Sequence, residues 1–246
     1  MYRDFIKYLL PLVLMTLSFQ SSLFSQAQLK KDGTDYNDLY KFILDRYGFD
    51  QVLANGVVYV DKYWKKEGHQ FFMEDRPYKG SLVFRGKVYQ GLEMKYDIVN
   101  QQLIVFIRHN YLEEEIVPPK DFVSDFNLDG THFSKYDFQG EPRFYQVVFD
   151  SDKLKCLYHW SKQAMETASS GNYKYYHFEF TDSKKKSYLN IGGSFELYRN
   201  NKTFTGLFPQ DIQSSVRHYI KSNHLNVSKS TDEKMVELLK YCVSLL

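Results

Sequence analysis

Alanine is nearly missing from this chain: four occur among 246 residues, Ala27, Ala54, Ala164 and Ala168. Alanine is the best helix former, so its scarcity argues against a helical bundle or a helix-covered parallel sheet. A surplus of one charge is missing too, since 32 basic residues face 30 acidic ones for a net charge of +2. That balance removes the broad basic footprint of a nucleic-acid binder. Cysteine occurs only twice, at Cys156 and Cys242, with no histidine at ligand spacing from either. Two thiols alone make no structural zinc site. What is plentiful is aromatic: 21 Tyr, 20 Phe and 2 Trp make up 17% of the chain. Tyr and Phe favour strands, and a 43% hydrophobic content is enough for a packed core. The length suits one domain of ordinary size.

Residues 1–27 read as an export signal. Arg3 and Lys7 form a short basic start, Tyr8 to Phe19 is an apolar run, and Ser25 and Ala27 offer small residues for cleavage. The run is shorter than the roughly 20 residues a spanning helix needs, and Pro11 interrupts it. No cysteine follows it, which argues against a lipid anchor, and no later run reaches membrane length. The expectation is an exported protein, periplasmic or extracellular, with no transmembrane segment in its mature part. Such a compartment permits a bond between Cys156 and Cys242, though each also reads as a small buried hydrophobe.

Downstream, Tyr36, Leu39, Tyr40, Ile43, Leu44 and Tyr47 fall on one helical stripe. From about Val57 to Phe204 the pattern is that of strands. Leu92, Met94, Tyr96 and Ile98 alternate with Glu93, Lys95 and Asp97, the period of a half-buried strand. Arg85-Gly86, Asn100-Gln101 and Gly192-Gly193 supply turns, and Tyr173–Thr181, Ser187–Ile191 and Ser194–Tyr198 read as a second meander. Near the C-terminus, Ile212, Val216, Tyr219 and Ile220 share a helical face after Pro209. Ser230 and Glu233 form a capping box before Met235, Leu238, Leu239, Cys242 and Leu246. These elements predict an α+β, mainly β fold: an antiparallel curved or half-closed sheet with one N-terminal helix and two C-terminal helices. Residues 28–246 form a single domain on this reading, with Glu113 to Lys120 as the candidate boundary between lobes.

The pieces Gly80-Ser-Leu-Val-Phe, Tyr89-Gln-Gly-Leu-Glu-Met-Lys-Tyr-Asp-Ile98, Phe126-Asn-Leu-Asp-Gly130 with Phe133, and Phe144-Tyr-Gln-Val-Val-Phe149 stand in that order. With the closing helices, they resemble a group of exported β-rich proteins common in Bacteroidota. The resemblance implies an envelope location and a single structural unit. The group has no established activity, so it carries no catalytic residue over to this chain.

Signatures of chemistry are sparse. Asp125-Phe-Asn127-Leu-Asp129-Gly130 matches the opening of a calcium loop, whose alternating oxygens surround the ion. The twelfth position is Tyr136 where a bidentate Glu belongs, so a strand ending in an Asp-Gly turn competes with it. The expected cofactor set is none, with calcium at Asp125, Asn127 and Asp129 as the alternative. No Gly-x-Ser-x-Gly elbow and no phosphate loop occur. Cys156 and His159, three apart on a strand, fall on opposite faces. Of the seven histidines, His132 alone neighbours the acidic turn. Lys184, Lys185 and Lys186 read as a solvated hairpin turn. Tyr59, Tyr63 and Trp64, and Tyr173, Tyr175 and Tyr176, can present flat platforms to a sugar or a lining to a lipid chain. The same rings also serve simply as strand core. The functional expectation is a non-enzymatic binding module whose partner is an envelope protein, a lipid or a glycan. The alternative is a hydrolase acting on envelope or polysaccharide material.

Overall fold

A computed structural model describes residues 56–63, 65–109, 112–138, 140–168 and 176–246. The expected export signal and the expected helix from Tyr36 to Tyr47 lie outside the described residues. Among those described, the chain is mainly strand. In order come β1 (Val57–Val58), β2 (Lys66–Glu67), β3 (Tyr78–Phe84), β4 (Lys87–Asp97) and β5 (Gln102–His109). Then follow β6 (Leu112–Val117), β7 (Val123–Leu128), β8 (Thr131–Tyr136), β9 (Arg143–Asp150) and β10 (Leu154–Ser161). The last are β11 (Ala164–Ala168), β12 (Tyr176–Phe180), β13 (Lys184–Ile191) and β14 (Phe195–Tyr198).

Eleven of these form one antiparallel sheet in the order β1-β6-β5-β4-β3-β7-β8-β9-β10-β13-β14. Two hairpin series, β3 to β6 and β7 to β10, thus meet edge to edge where β3 pairs with β7. The turns are those the sequence signals. Arg85-Gly86 and Asp129-Gly130 both take positive φ at each residue (51° and 76°; 47° and 85°), the geometry of a two-residue hairpin. Glycine matters differently at the seam. Gly80 lies at a bulge in β3, and a Cβ there would overlap the Asn127 carbonyl oxygen of β7. Only a residue without a side chain lets the two series approach this closely.

One face of the sheet buries aromatic rings contributed by strands from both series. Tyr96, Phe126, Phe133 and Phe144 are each at most 2% exposed. Phe126 stacks on Phe133 at 4.8 Å, and Tyr96 meets both edge-on at 5.2 Å. Rings in such offset and edge-to-face arrangements stabilise a core beyond the area they bury.

The C-terminal helices are α1 (Asn201–Gly206), α2 (Gln213–Ser222) and α3 (Asp232–Leu245). The two expected helices are α2 and α3, and their apolar stripes are the buried ones: Val216 and Ile220, then Met235, Leu238, Leu239 and Cys242. They close over Leu154, Cys156 and Tyr158 of β10, Leu189 of β13 and Tyr198 of β14. Helix α1 corrects the reading of strand up to Phe204. Asn200 accepts from the Thr203 amide, and the Thr203 hydroxyl accepts from the Asn200 amide, a reciprocal cap that starts a helix there. At α3 the N-cap is Thr231, whereas the Ser230 hydroxyl donates to the Asn226 carbonyl. Cys156 and Cys242 are both free and buried in the same apolar cluster.

Two further corrections concern pairing. Lys184, Lys185 and Lys186 are not a turn; they open β13 opposite Ser161, Trp160 and His159. Nor does β12 join β13 in a meander. It belongs to a three-stranded sheet, β11-β12-β2, in which β12 and β2 run parallel. The segment from Glu113 to Lys120 is the end of β6, Pro118-Pro119 and the first residue of a 3-10 turn, Lys120–Phe122. No helix among the described residues is long and apolar enough to cross a membrane.

Candidate functional site

Strand alternation sends Lys95 of β4, Ile104 and Phe106 of β5, and Glu113, Glu115 and Val117 of β6 to one face. The chain from Val57 to Asp75 runs across this face. The Tyr59 amide donates to the Glu115 carbonyl, Phe71 bridges to Asp97, and the Phe72 amide donates to the Tyr96 carbonyl. Phe71 is thereby pressed onto Ile104 and Phe106, with Tyr59 and Val117 beside it.

Between the crossing segment and the sheet lies an open cleft of about 490 Å³. Val58, Tyr59 and Phe71 give it an apolar side. Asp61, Asp75, Glu113 and Glu115 give it carboxylates, and Lys66 and Lys95 give it cations; Glu114 borders it too, but alternation turns its side chain to the other face of β6, with Ile116. Both lysines are already engaged. Lys66 Nζ is 2.6 Å from Asp61 Oδ2, and Lys95 Nζ is 2.8 Å from Asp75 Oδ1. The Lys95 ammonium also sits 4.6 Å from the Phe71 ring centre and 5.6 Å from that of Phe106. Glu113 pairs with Arg108 at 3.1 Å. Glu115 has no ion-pair partner among the described residues, so the cleft carries an uncompensated negative charge.

The surroundings tune these groups. Burial pushes the Glu115 carboxyl above its usual range, and the nearby Lys95 charge offsets this only in part. Burial pulls Asp61 the same way, but hydrogen bonds from Lys66 and the Tyr63 amide outweigh it and hold Asp61 below its usual range. Gln70, fully buried, wires the wall together. It donates to the Tyr59 hydroxyl at 2.8 Å and accepts from Lys66 at 3.2 Å. Burial drives the Tyr59 phenol upward, so it stays protonated.

Of the aromatic platforms, Tyr59 lines the cleft. Tyr63 is 5% exposed and meets Phe178 and Phe180 edge-on at 5.0 and 5.1 Å. It anchors the crossing segment to the small sheet and offers no open ring face. Tyr176 heads β12, 60% exposed, and is not among the residues lining the cleft. Trp64, Tyr173 and Tyr175 lie outside the described residues.

The acidic turn is a strand closed by its hairpin. Asp125 takes the Ser134 hydroxyl and lies 3.4 Å from His132 Nε2. The Asn127 side-chain oxygen accepts from the Gly130 amide at 2.9 Å, and Asp129 itself forms the turn. Cys156 and His159 do look away from each other. The thiol is 3.4 Å from the Tyr198 hydroxyl, and the imidazole bonds Gln101.

Sequence reasoning missed Phe71, Lys66, Lys95 and the glutamates of β6 as one site. Their available signal was the alternation of Glu93, Lys95 and Asp97, which reads as an ordinary solvated strand face. Comparison with protein-family models, with curated proteins and with solved structures returns no match.

Proposed function

We propose that the chain is an exported envelope protein acting as a non-enzymatic binding module, and that the cleft over Phe71 receives a cationic, amphipathic group of a partner protein. One observation carries the binding reading: a carboxylate without an ionic partner, Glu115, stands beside an apolar wall of Val58, Tyr59 and Phe71. A foreign ammonium or guanidinium satisfies the charge, and its carbon stem or a neighbouring apolar residue covers the wall. A bare lipid chain gains nothing from the carboxylate. The export half of the proposal rests on the basic, apolar and small-residue pattern of residues 1–27.

The hydrolase reading has one observation in its favour. Glu115 is shifted up and Asp61 down within one cleft, the separation that acid and base roles require. Binding is preferred because both Asp61 oxygens are already committed, Oδ2 to Lys66 and Oδ1 to the Tyr63 amide. A base so engaged is poorly placed to take a proton.

Isothermal titration of the purified protein with a short lysine-rich peptide tests the proposal, with an acidic peptide of equal length as control. The lysine peptide binds and the acidic one does not. Replacing Glu115→Gln weakens binding by about tenfold or more, which is about 1.4 kcal/mol. Affinity falls as pH drops through the raised Glu115 titration, because protonation removes the charge that is read. Equal binding of both peptides refutes the proposal. Turnover of a polysaccharide panel that Glu115→Gln abolishes establishes the hydrolase instead.

A further inference from the structure

The small sheet has a chemistry that the cleft does not use. Its strand β2 pairs in parallel with β12, Lys66 opposite Phe178 and Glu67 opposite Glu179. Alternation therefore divides the pair into two faces. Lys66 and Phe178 belong to the face that meets the cleft wall and Tyr63. Glu67, Glu179 and His177, the last two positioned i and i+2 on β12, belong to the other. Among the described residues, one ligand atom from each of these three lies within 4.8 Å of the others. His177 Nε2 is 3.1 Å from Glu179 Oε1, and their side chains are 16% and 42% exposed.

We propose that Glu67, His177 and Glu179 form a binding site for a divalent transition-metal ion, with zinc as the best-matched member of that class. Metal–ligand bonds of about 2.1 Å set tetrahedral donor atoms about 3.4 Å apart. The His177–Glu179 pair already stands near that spacing, and Glu67, at the exposed end of a two-residue strand, closes the rest by rotation of its side chain. The donor set selects the ion. Calcium and magnesium favour all-oxygen shells, whereas an imidazole nitrogen with two carboxylates suits zinc and its neighbours. Two carboxylates neutralise the ion's charge, and the fourth position remains open to water. Strand geometry supplies what a chance cluster lacks, since adjacent backbone ladders fix all three Cβ positions before any metal arrives. The site also ties β2 to β12, which otherwise share only a short ladder.

The test uses the purified full chain, stripped with EDTA and desalted, and titrated with Zn²⁺ calorimetrically and with Co²⁺ by visible absorption. One equivalent of Zn²⁺ binds, and Co²⁺ gives the intense visible bands of a four-coordinate ion. Each of Glu67→Gln, His177→Gln and Glu179→Gln weakens Zn²⁺ by about tenfold or more. His132→Gln, at the unrelated Asp125 contact, leaves it unchanged, and excess Ca²⁺ or Mg²⁺ does not compete. Circular dichroism in EDTA confirms that the variants keep the fold. If His177→Gln fails to fold, the two glutamate variants decide the matter. No Zn²⁺ binding by the parent chain, or binding that all three substitutions leave intact, reduces the cluster to a His177–Glu179 contact and overturns the proposal.

Discussion

His159 makes the fold sensitive to acid in a window that can be worked out from its surroundings. The ring is 7% exposed on β10, tilted against Tyr145 with centroids 5.4 Å apart. Its Nε2 lies 3.2 Å from Gln101 Oε1. Gln101 donates its amide hydrogens to the carbonyls of Ile98 and Trp160, so its oxygen must accept, and His159 carries its proton on Nε2. Charging the ring then means adding a proton at Nδ1 in a buried place near Arg143, Lys186 and Lys120. Burial first, and those cations second, push the pKa from 6.5 down to about 4. Between those values the unfolded chain binds a proton that the folded chain refuses. Stability is therefore complete above the unfolded value and drains away as pH falls towards the folded one. At about 1.4 kcal/mol for each pH unit, the loss reaches about 3 kcal/mol by pH 4. His69, also held low by burial and by Lys162, adds with the same sign. The assay is urea unfolding of the parent and of His159→Gln from about pH 7.5 to about pH 4. At neutral pH the variant is the less stable, having lost the fitted ring. The gap narrows by up to about 3 kcal/mol on acidification, because only the parent loses this contribution. Acidic groups held low, such as Asp61 and Asp125, act alike in both proteins and cancel in the difference. A gap that stays constant across the range refutes the reasoning.

Two further outcomes follow from packing. Gly80→Ala drives a methyl group into the Asn127 carbonyl across the β3–β7 seam, so it costs at least about 3 kcal/mol; a urea midpoint equal to the parent's contradicts the close approach. Leu238→Ala on α3, at a position with no exposed surface, costs about 2–5 kcal/mol; a loss below about 1 kcal/mol in the same assay means that α3 is not clamped on the sheet as described.

The parts of this fold that were legible are those decided within a dozen residues. Leu92 to Ile98 alternates because one face of β4 is dry while Glu93 and Lys95 on the other are only half-buried, although Asp97 at the strand's end is buried as well, and Asp129-Gly130 turns because two consecutive positive φ angles suit those residues. The stripes of α2 and α3 appear for the same local reason. Partner choice was not legible, because strand pairing joins residues far apart in sequence. Nothing near Tyr176–Phe180 marks it for a sheet with Lys66–Glu67 instead of with its successor β13. The site was illegible for a related reason. Three consecutive glutamates before Pro118-Pro119 look like a solvated boundary, and only the crossing of the Val57–Asp75 segment turns that edge into a wall. Helix α1 was hidden by its length, since six residues show too little periodicity and only the Asn200–Thr203 pair marks its start.

The arrangement of charge around Phe71 narrows what the cleft selects. A cation arriving over the Phe71 ring meets Lys66 and Lys95, each held in place by its own carboxylate. Displacing either lysine strands Asp61 or Asp75, so the incoming charge is read at Glu115 instead. Beside them, β1 pairs Val58 with Ile116 and Val57 with Val117. Val57, Val58 and Val60 are left 73%, 59% and 77% exposed. Three exposed valines within four residues, next to the unpaired Glu115 carboxylate, form a surface whose polar and apolar parts are only a side chain apart. A simple inorganic cation uses half of that surface, and a hydrocarbon uses the other half. A basic residue flanked by an apolar one, on an extended partner segment, uses both.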